Sequence, residues 1–202
     1  MFGSLMASEG RNEEKFRDSM FSVLNATFGT GLATVDAATA YDVTTPMMSW
    51  YNGADSSSGR VILLDELVLR ATAVNTSATS YHFQFVKRSG ETTSGGTALT
   101  PVNMGGNATS LITAQRATIA TVRFGALTGT AAAATYDRII WRVQARDVIF
   151  AADDTIHILF GEGVTGTHGA TTSGTSKALR CPPMWVRPGE TLQMHDLAPS
   201  QG

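Results

Sequence analysis

Tyr81-His82-Phe83-Gln84-Phe85-Val86 carries the clearest period-two signal in the chain, with Tyr81, Phe83 and Phe85 on one side and His82, Gln84 and Val86 on the other. Successive side chains of a β-strand point to opposite faces of a sheet, so this stretch reads as strand. The run from Lys87 to Ser110 that follows is built mainly of Gly, Ser, Thr, Ala and Asn, without helical periodicity and with little charge. It reads as a long loop leaving a β-scaffold. Upstream, Arg60 to Val74 alternates in its second half, with Leu67, Leu69, Ala71 and Ala73 opposed to Val68, Arg70 and Thr72. Downstream, β-rich runs recur at Ala117 to Phe124, Arg138 to Ala145, Thr155 to Phe160, Ala178 to Cys181, Met184 to Val186 and Thr191 to Met194. Many short strands divided by Gly, Pro and small polar residues predict an all-β protein, a jelly roll or β-sandwich. No repeat of roughly 20–50 residues is visible, which argues against propellers and solenoids.

At 202 residues the chain suits one all-β domain with an appended arm. Hydrophobic residues make up 43%, enough for a core, whereas charged residues make up only 16%, below the usual share of about a quarter. This predicts a surface partly covered by other subunits. The net charge of −2 provides no global field to attract nucleic acid or anionic lipid, so neither is expected as a partner. Arg greatly outnumbers Lys among the cations, which favours fixed, bidentate contacts. Cys181 is the only cysteine and lies beside Pro182-Pro183, so no disulfide and no cysteine-based zinc site are expected and the thiol reads as inert. Met1-Phe2-Gly3-Ser4-Leu5-Met6 lacks the apolar core of a signal peptide, and no run approaches the roughly 18 apolar residues of a membrane span. Synthesis in a reducing cytoplasm is the expectation, with the sequons at Asn25, Asn75 and Asn107 taken as chance.

Residues Asn12 to Asn25 carry the one helical pattern. Phe16, Met20, Val23 and Leu24 fall at i, i+4, i+7 and i+8 on one face. Glu13 and Glu14 sit in the first turn, where the helix dipole favours them. The chain then divides into an N-terminal arm over 1–50, with the helix at about 12–25, and a β-domain over 51–202. A single amphipathic helix cannot make its own core, so Phe16, Met20, Val23 and Leu24 are candidate contacts to the β-domain or to a neighbouring chain. A second candidate face is the strand bearing Trp141, Arg142 and Arg146, because Trp and Arg are frequent interface anchors. Its alternative reading is one buried face (Ile139, Trp141, Val143) and one solvated face (Arg142, Gln144, Arg146).

No complete catalytic set emerges. Gly169-Ala170-Thr171-Thr172-Ser173-Gly174-Thr175-Ser176-Lys177 approaches a phosphate loop, but the Lys stands two positions late and Pro182-Pro183 forbids a long helix behind it. His82, His157, His168 and His195 are solitary, and Pro188 to His195 departs from the spacing of a cupin metal motif, so no metal is expected. The neighbours Asp65 and Glu66 would point to opposite faces of a strand, and Asp153-Asp154 reads as a turn. Neither pair is the facing carboxylate couple a glycosidase requires. No cofactor and no enzymatic activity are predicted.

Four segments in order, Arg60-Val61-Ile62-Leu63-Leu64-Asp65-Glu66-Leu67-Val68-Leu69-Arg70-Ala71-Thr72-Ala73-Val74, Phe83-Gln84-Phe85, Ser94-Gly95-Gly96-Thr97-Ala98-Leu99-Thr100-Pro101-Val102 and Trp185-Val186-Arg187-Pro188-Gly189-Glu190-Thr191-Leu192-Gln193, resemble tailed-bacteriophage capsid decoration or cement proteins. The resemblance spans roughly Arg60 to Met194, and its Gly/Ser/Thr motifs are shared by neck and tail components. It implies a non-enzymatic virion protein on the capsid exterior, made in the host cytoplasm. Its implied partners are the major capsid protein and further copies of itself, often as a trimer. The alternative is a carbohydrate- or receptor-binding β-module of a head, neck or tail, with Trp50, Tyr51 or Trp141 stacking on a sugar.

Overall fold

The computed structural model describes residues 21–24, 42, 44–71, 79–103, 120–130, 137–148, 154–161, 167–169 and 177–197. These form an all-β fold in which two sheets enclose an apolar core. The larger sheet has seven strands: β2 (Met48–Asn52), β5 (Thr79–Ser89), β6 (Thr93–Leu99), β8 (Ala120–Gly129), β9 (Asp137–Val148), β11 (Thr167–Gly169) and β14 (Glu190–Leu197), in the order β11-β9-β5-β14-β2-β8-β6. All of its pairings are antiparallel except β11 with β9. The smaller sheet places β10 (Thr155–Phe160) between β4 (Glu66–Arg70) and β12 (Lys177–Cys181). Just beyond the end of β10, β3 (Ile62–Leu64) and β13 (Met184–Val186) pair directly with each other. The outer strands therefore bend, at Asp65 and at Pro182-Pro183, to close the gap that β10 leaves. Phe160 N–H donates to the Asp65 carbonyl and Gly161 N–H to that of Cys181, which pins both bends.

The core comes from alternate residues of both sheets. Ile156, Ile158 and Phe160 of β10, with Leu179, Cys181, Met184 and Val186, meet Met48, Trp50, Phe83, Phe85, Leu192 and Met194 of the large sheet. The Phe85 and Phe160 rings stand edge to face, with centroids 5.6 Å apart, a preferred arrangement of aromatic quadrupoles. Asn52 joins the sheets at one end: its Nδ2 donates to the Val186 and Arg60 carbonyls at 2.9 and 3.0 Å.

Three expectations need correction. The presumed loop after Lys87 is largely strand, since Thr93–Leu99 forms β6 along β8, and Pro101–Asn103 forms β7 along β1 (Phe21–Val23). Backbone hydrogen bonding pairs a Gly- and Thr-rich segment as readily as an apolar one, and the positive φ of Gly95 and Gly96 (71° and 58°) accommodates the register shift between Gly95 and Thr97. The helix placed at 12–25 also ends too late. Phe21–Val23 is extended, because β-favouring Phe and Val find an antiparallel partner in β7; residues 12–20 and 25 lie outside the described residues. Likewise, the boundary at residue 50 runs through β2, an interior strand of the large sheet.

Candidate functional site

Strands β5, β14 and β2 are buried on both faces. Leu192 and Met194 point into the sandwich, while Thr191, Gln193 and His195 point the other way and are sealed as completely, along with Ser49, Gln84 and Arg88. The cover over Ser49, Arg88 and Gln193 comes from the β6–β8 ribbon and the residues flanking it. β8 pairs with β2 only as far as Phe124 and thereafter only with β6. The ribbon curls back at Gly125 (φ 105°), whose N–H donates to the Met47 carbonyl at 3.0 Å. Ser49 and Thr93 hydroxyls then meet at 2.8 Å, although their strands are separated in the sheet by β8. Gln193 Nε2 donates to Thr92 Oγ1 at 3.3 Å, Arg88 Nη1 to the Thr130 carbonyl at 2.9 Å, and the Thr191 hydroxyl to the Gly90 carbonyl.

Strand β14 carries two displaced titrations, one on each face. Burial pushes the His195 imidazole down to about 4, and the nearby Arg88 charge adds to that against a hydrogen bond to the Thr45 backbone. Burial raises the Asp196 carboxyl, on the core-facing side of the same strand, to about 6. His195 is therefore neutral at pH 7, and its Nε2 lies 3.4 Å from Gln193 Oε1. A sealed layer of hydroxyls and amides, most of them hydrogen-bonded but with Gln84 Nε2 left without a partner, gives the large sheet a second, polar interior.

The outer face of the small sheet is the opposite case. Val61, Leu63, Val68 and Trp185 are 50%, 67%, 46% and 42% exposed. Leu63 and Trp185 are cross-strand partners, so their side chains lie side by side. Lys87 Nζ stands 5.3 Å from the centre of the Trp185 ring and 3.2 Å from Glu190 Oε2. On the same face His157 Nδ1 lies 2.6 Å from Glu66 Oε1, and its Nε2 lies 3.0 Å from the Thr155 hydroxyl. The order hydroxyl–imidazole–carboxylate is that of an activated nucleophile. Yet His157 and Glu66 are about a third or more exposed on an open sheet face, which provides none of the concavity that encloses a substrate. The trio ties β4 to β10.

The residues singled out in the sequence are dispersed. Phe16 and Met20 lie outside the described residues; Val23 packs against the core and Leu24 is 73% exposed. Arg142 is exposed on β9, and its Nε donates to Gln84 Oε1 at 2.7 Å. Arg146 is paired through its backbone with Gly169 of β11, and its side chain lies outside the described residues. Trp50 is 6% exposed in the core, and Trp141 packs against the same core beside Cys181. Trp50 is thereby removed as a sugar platform. Cys181 is fully buried, and burial pushes its thiol up to about 12, far from the nucleophilic thiolate. The histidines stand on four different strands, and among the described residues no group of three or more His, Cys, Asp or Glu is placed to hold a metal ion. Lys177 opens a strand, not the helix a phosphate loop requires. The Leu63–Trp185 pair was missed in the sequence because an exposed Trp on a three-residue strand looks like a core Trp until its partner strand is known. No family model matches the chain, and no curated protein and no solved structure matches it.

Proposed function

We propose that this is a structural virion protein that binds and stabilises a phage capsid lattice as a homo-oligomer, acting through surfaces and not through chemistry. The observation that carries the reading is the inversion of the small sheet, which turns Leu63, Val68 and Trp185 to solvent while the polar residues of the large sheet are sealed inside. Soluble domains seldom leave clustered apolar side chains uncovered without a partner for them. The low charged fraction of the whole chain supports the same reading. Modest contacts to several lattice subunits would add through multivalency. The test is co-sedimentation with intact particles of the phage that encodes the chain. Saturable binding at many copies per particle supports the reading; recovery of all the protein in the supernatant sinks it, and a few copies per particle move it to a neck or tail role.

A second reading, a carbohydrate-binding module, is favoured by the open Trp185 ring beside the Lys87–Glu190 pair. Glycan binding abolished by Trp185→Ala, with particle binding intact, would select it.

A further inference from the structure

Trp185 is not a loose surface ring. Lys87 Nζ, 5.3 Å from its centre, ends a side chain of a residue only 8% exposed and is tied to Glu190 Oε2 at 3.2 Å. The same oxygen accepts from the Arg187 N–H at 3.0 Å, and the Glu190 N–H donates back to the Arg187 carbonyl at 3.0 Å. The turn after β13 is therefore closed at both ends, and the cation that holds the ring already has its counter-charge. An aromatic surface fixed in advance loses little freedom on binding.

Met184 and Val186 are 2% and 0% exposed and point into the sandwich, so Trp185 and Arg187 share the outer face. The register of β3 with β13 carries on, one residue past Ile62–Val186, to set Val61 opposite Arg187. This corner thus presents an exposed indole and an exposed leucine side by side, with an exposed guanidinium two residues, or about 7 Å, along the strand. Among the described residues the Arg187 guanidinium has no hydrogen bond or ion pair. The exposed carboxylate next to β3, Asp65, follows Leu64 at the opposite end of the pair.

We propose that this corner binds a carboxylated sugar, a hexuronic acid unit lying on Trp185 with its carboxylate on Arg187. The proposal rests on the carbohydrate-binding reading above and names the class of sugar. The C–H face of a pyranose meets the negative face of the indole, and Leu63 extends the apolar floor beside it. The guanidinium takes a carboxylate through two parallel N–H bonds, and its charge decides the class because that of Lys87 is taken up by Glu190. A neutral sugar would leave the guanidinium without a partner. Nucleic acid binding draws on several cations along a backbone, and the net charge of −2 supplies no such field. One sugar on an open face sets an expected dissociation constant on the order of 1 mM.

The experiment is calorimetric titration of the full chain with trigalacturonate and trimannuronate, each beside its methyl ester, and with oligothymidine. At least one of the two acids should bind, and its uncharged ester should bind at least about tenfold more weakly. Arg187→Gln should bring acid and ester level, and Trp185→Ala should abolish both, with thermal melts establishing that each variant is folded. Acid and ester binding alike, or a preference for the acid that survives Arg187→Gln, overturns the proposal and leaves the carbohydrate reading standing. Acid binding that persists in folded Trp185→Ala, or oligothymidine binding more tightly than either acid, overturns it as well. No binding of any of these sugars overturns the proposal together with the reading beneath it.

Discussion

The back of the large sheet and the outer face of the small sheet invert the usual assignment of polarity to surface. One is polar and sealed: Gln84, Arg88, Thr191, Gln193 and His195 are each 0–1% exposed. The other is partly apolar and open, with Leu63 at 67%. The difference teaches that position in the sheet, not side-chain type, decides what water reaches. The polar face tolerates burial because a curled ribbon brings hydroxyls and carbonyls to meet it, and buried polar groups with partners cost little. The apolar face stays open because no described element crosses it.

The heaviest blow to this comparison is struck between the two faces. Phe85→Ala removes the ring that packs on Phe160 and joins the sheets; a loss of about 3–5 kcal/mol is expected in denaturant unfolding, and both faces should open together. Gly96→Ala attacks only the ribbon that seals the polar layer. A Cβ there would stand 2.4 Å from Leu127 Cδ2 and 2.8 Å from the Phe124 carbonyl, at a φ of +58°. The expected cost is about 2–3 kcal/mol. Gly90→Ala, with open space around the added carbon, should cost about 1 kcal/mol from backbone conformation alone. Equal costs for the two substitutions would dissociate the ribbon from the seal.

Proton linkage sharpens the comparison further. Between pH 6.5 and about 4 the unfolded chain binds a proton at His195 that the folded chain refuses, so acidification through that window removes stability. Asp196 acts in the opposite sense. Its folded carboxyl keeps a proton up to about pH 6, against 3.8 ordinarily, so its contribution is present at low pH and lost as pH rises through that window. The two nearly offset in the intact protein. Asp196→Asn should expose the His195 loss on going from pH 7 to 4, and His195→Gln should expose the Asp196 gain, each on the order of 2 kcal/mol. Parallel slopes in the two variants would contradict a sealed environment for the pair. At the small end, Leu63→Asp should change unfolding free energy by less than about 0.5 kcal/mol, since the side chain is mostly in water already; a multi-kilocalorie loss would mean that the face is covered within its own chain.

The strands were legible where side-chain pattern and burial agree. Thr155–Phe160 and Met184–Val186 have the limits that the sequence predicts, because an apolar run bounded by Gly, Pro or Asp has one way to fold. β6 was not legible, since Gly95-Gly96-Thr97 carries no apolar signal and is a strand only by backbone pairing with β8. The sealed polar layer was hidden for a related reason: Gln84, Gln193 and His195 alternate with core residues as solvated residues do, and partners distant in sequence, Arg142, Thr92 and the Thr45 backbone, meet them. The apolar site on the small sheet escaped notice because it depends on which strand Trp185 pairs with.

Hydroxyl-radical footprinting over about 1–100 μM protein tests most directly whether the open apolar face, and not the sealed polar one, is where this protein meets its partners. Leu63 and Trp185 should label strongly in dilute solution and lose labelling as concentration rises. Leu24 should stay labelled throughout, and Trp50, Met194 and His195 should be protected throughout. Labelling of Leu63 and Trp185 that is unchanged by concentration and by added particles, or ready labelling of His195 and Trp50, would contradict the account.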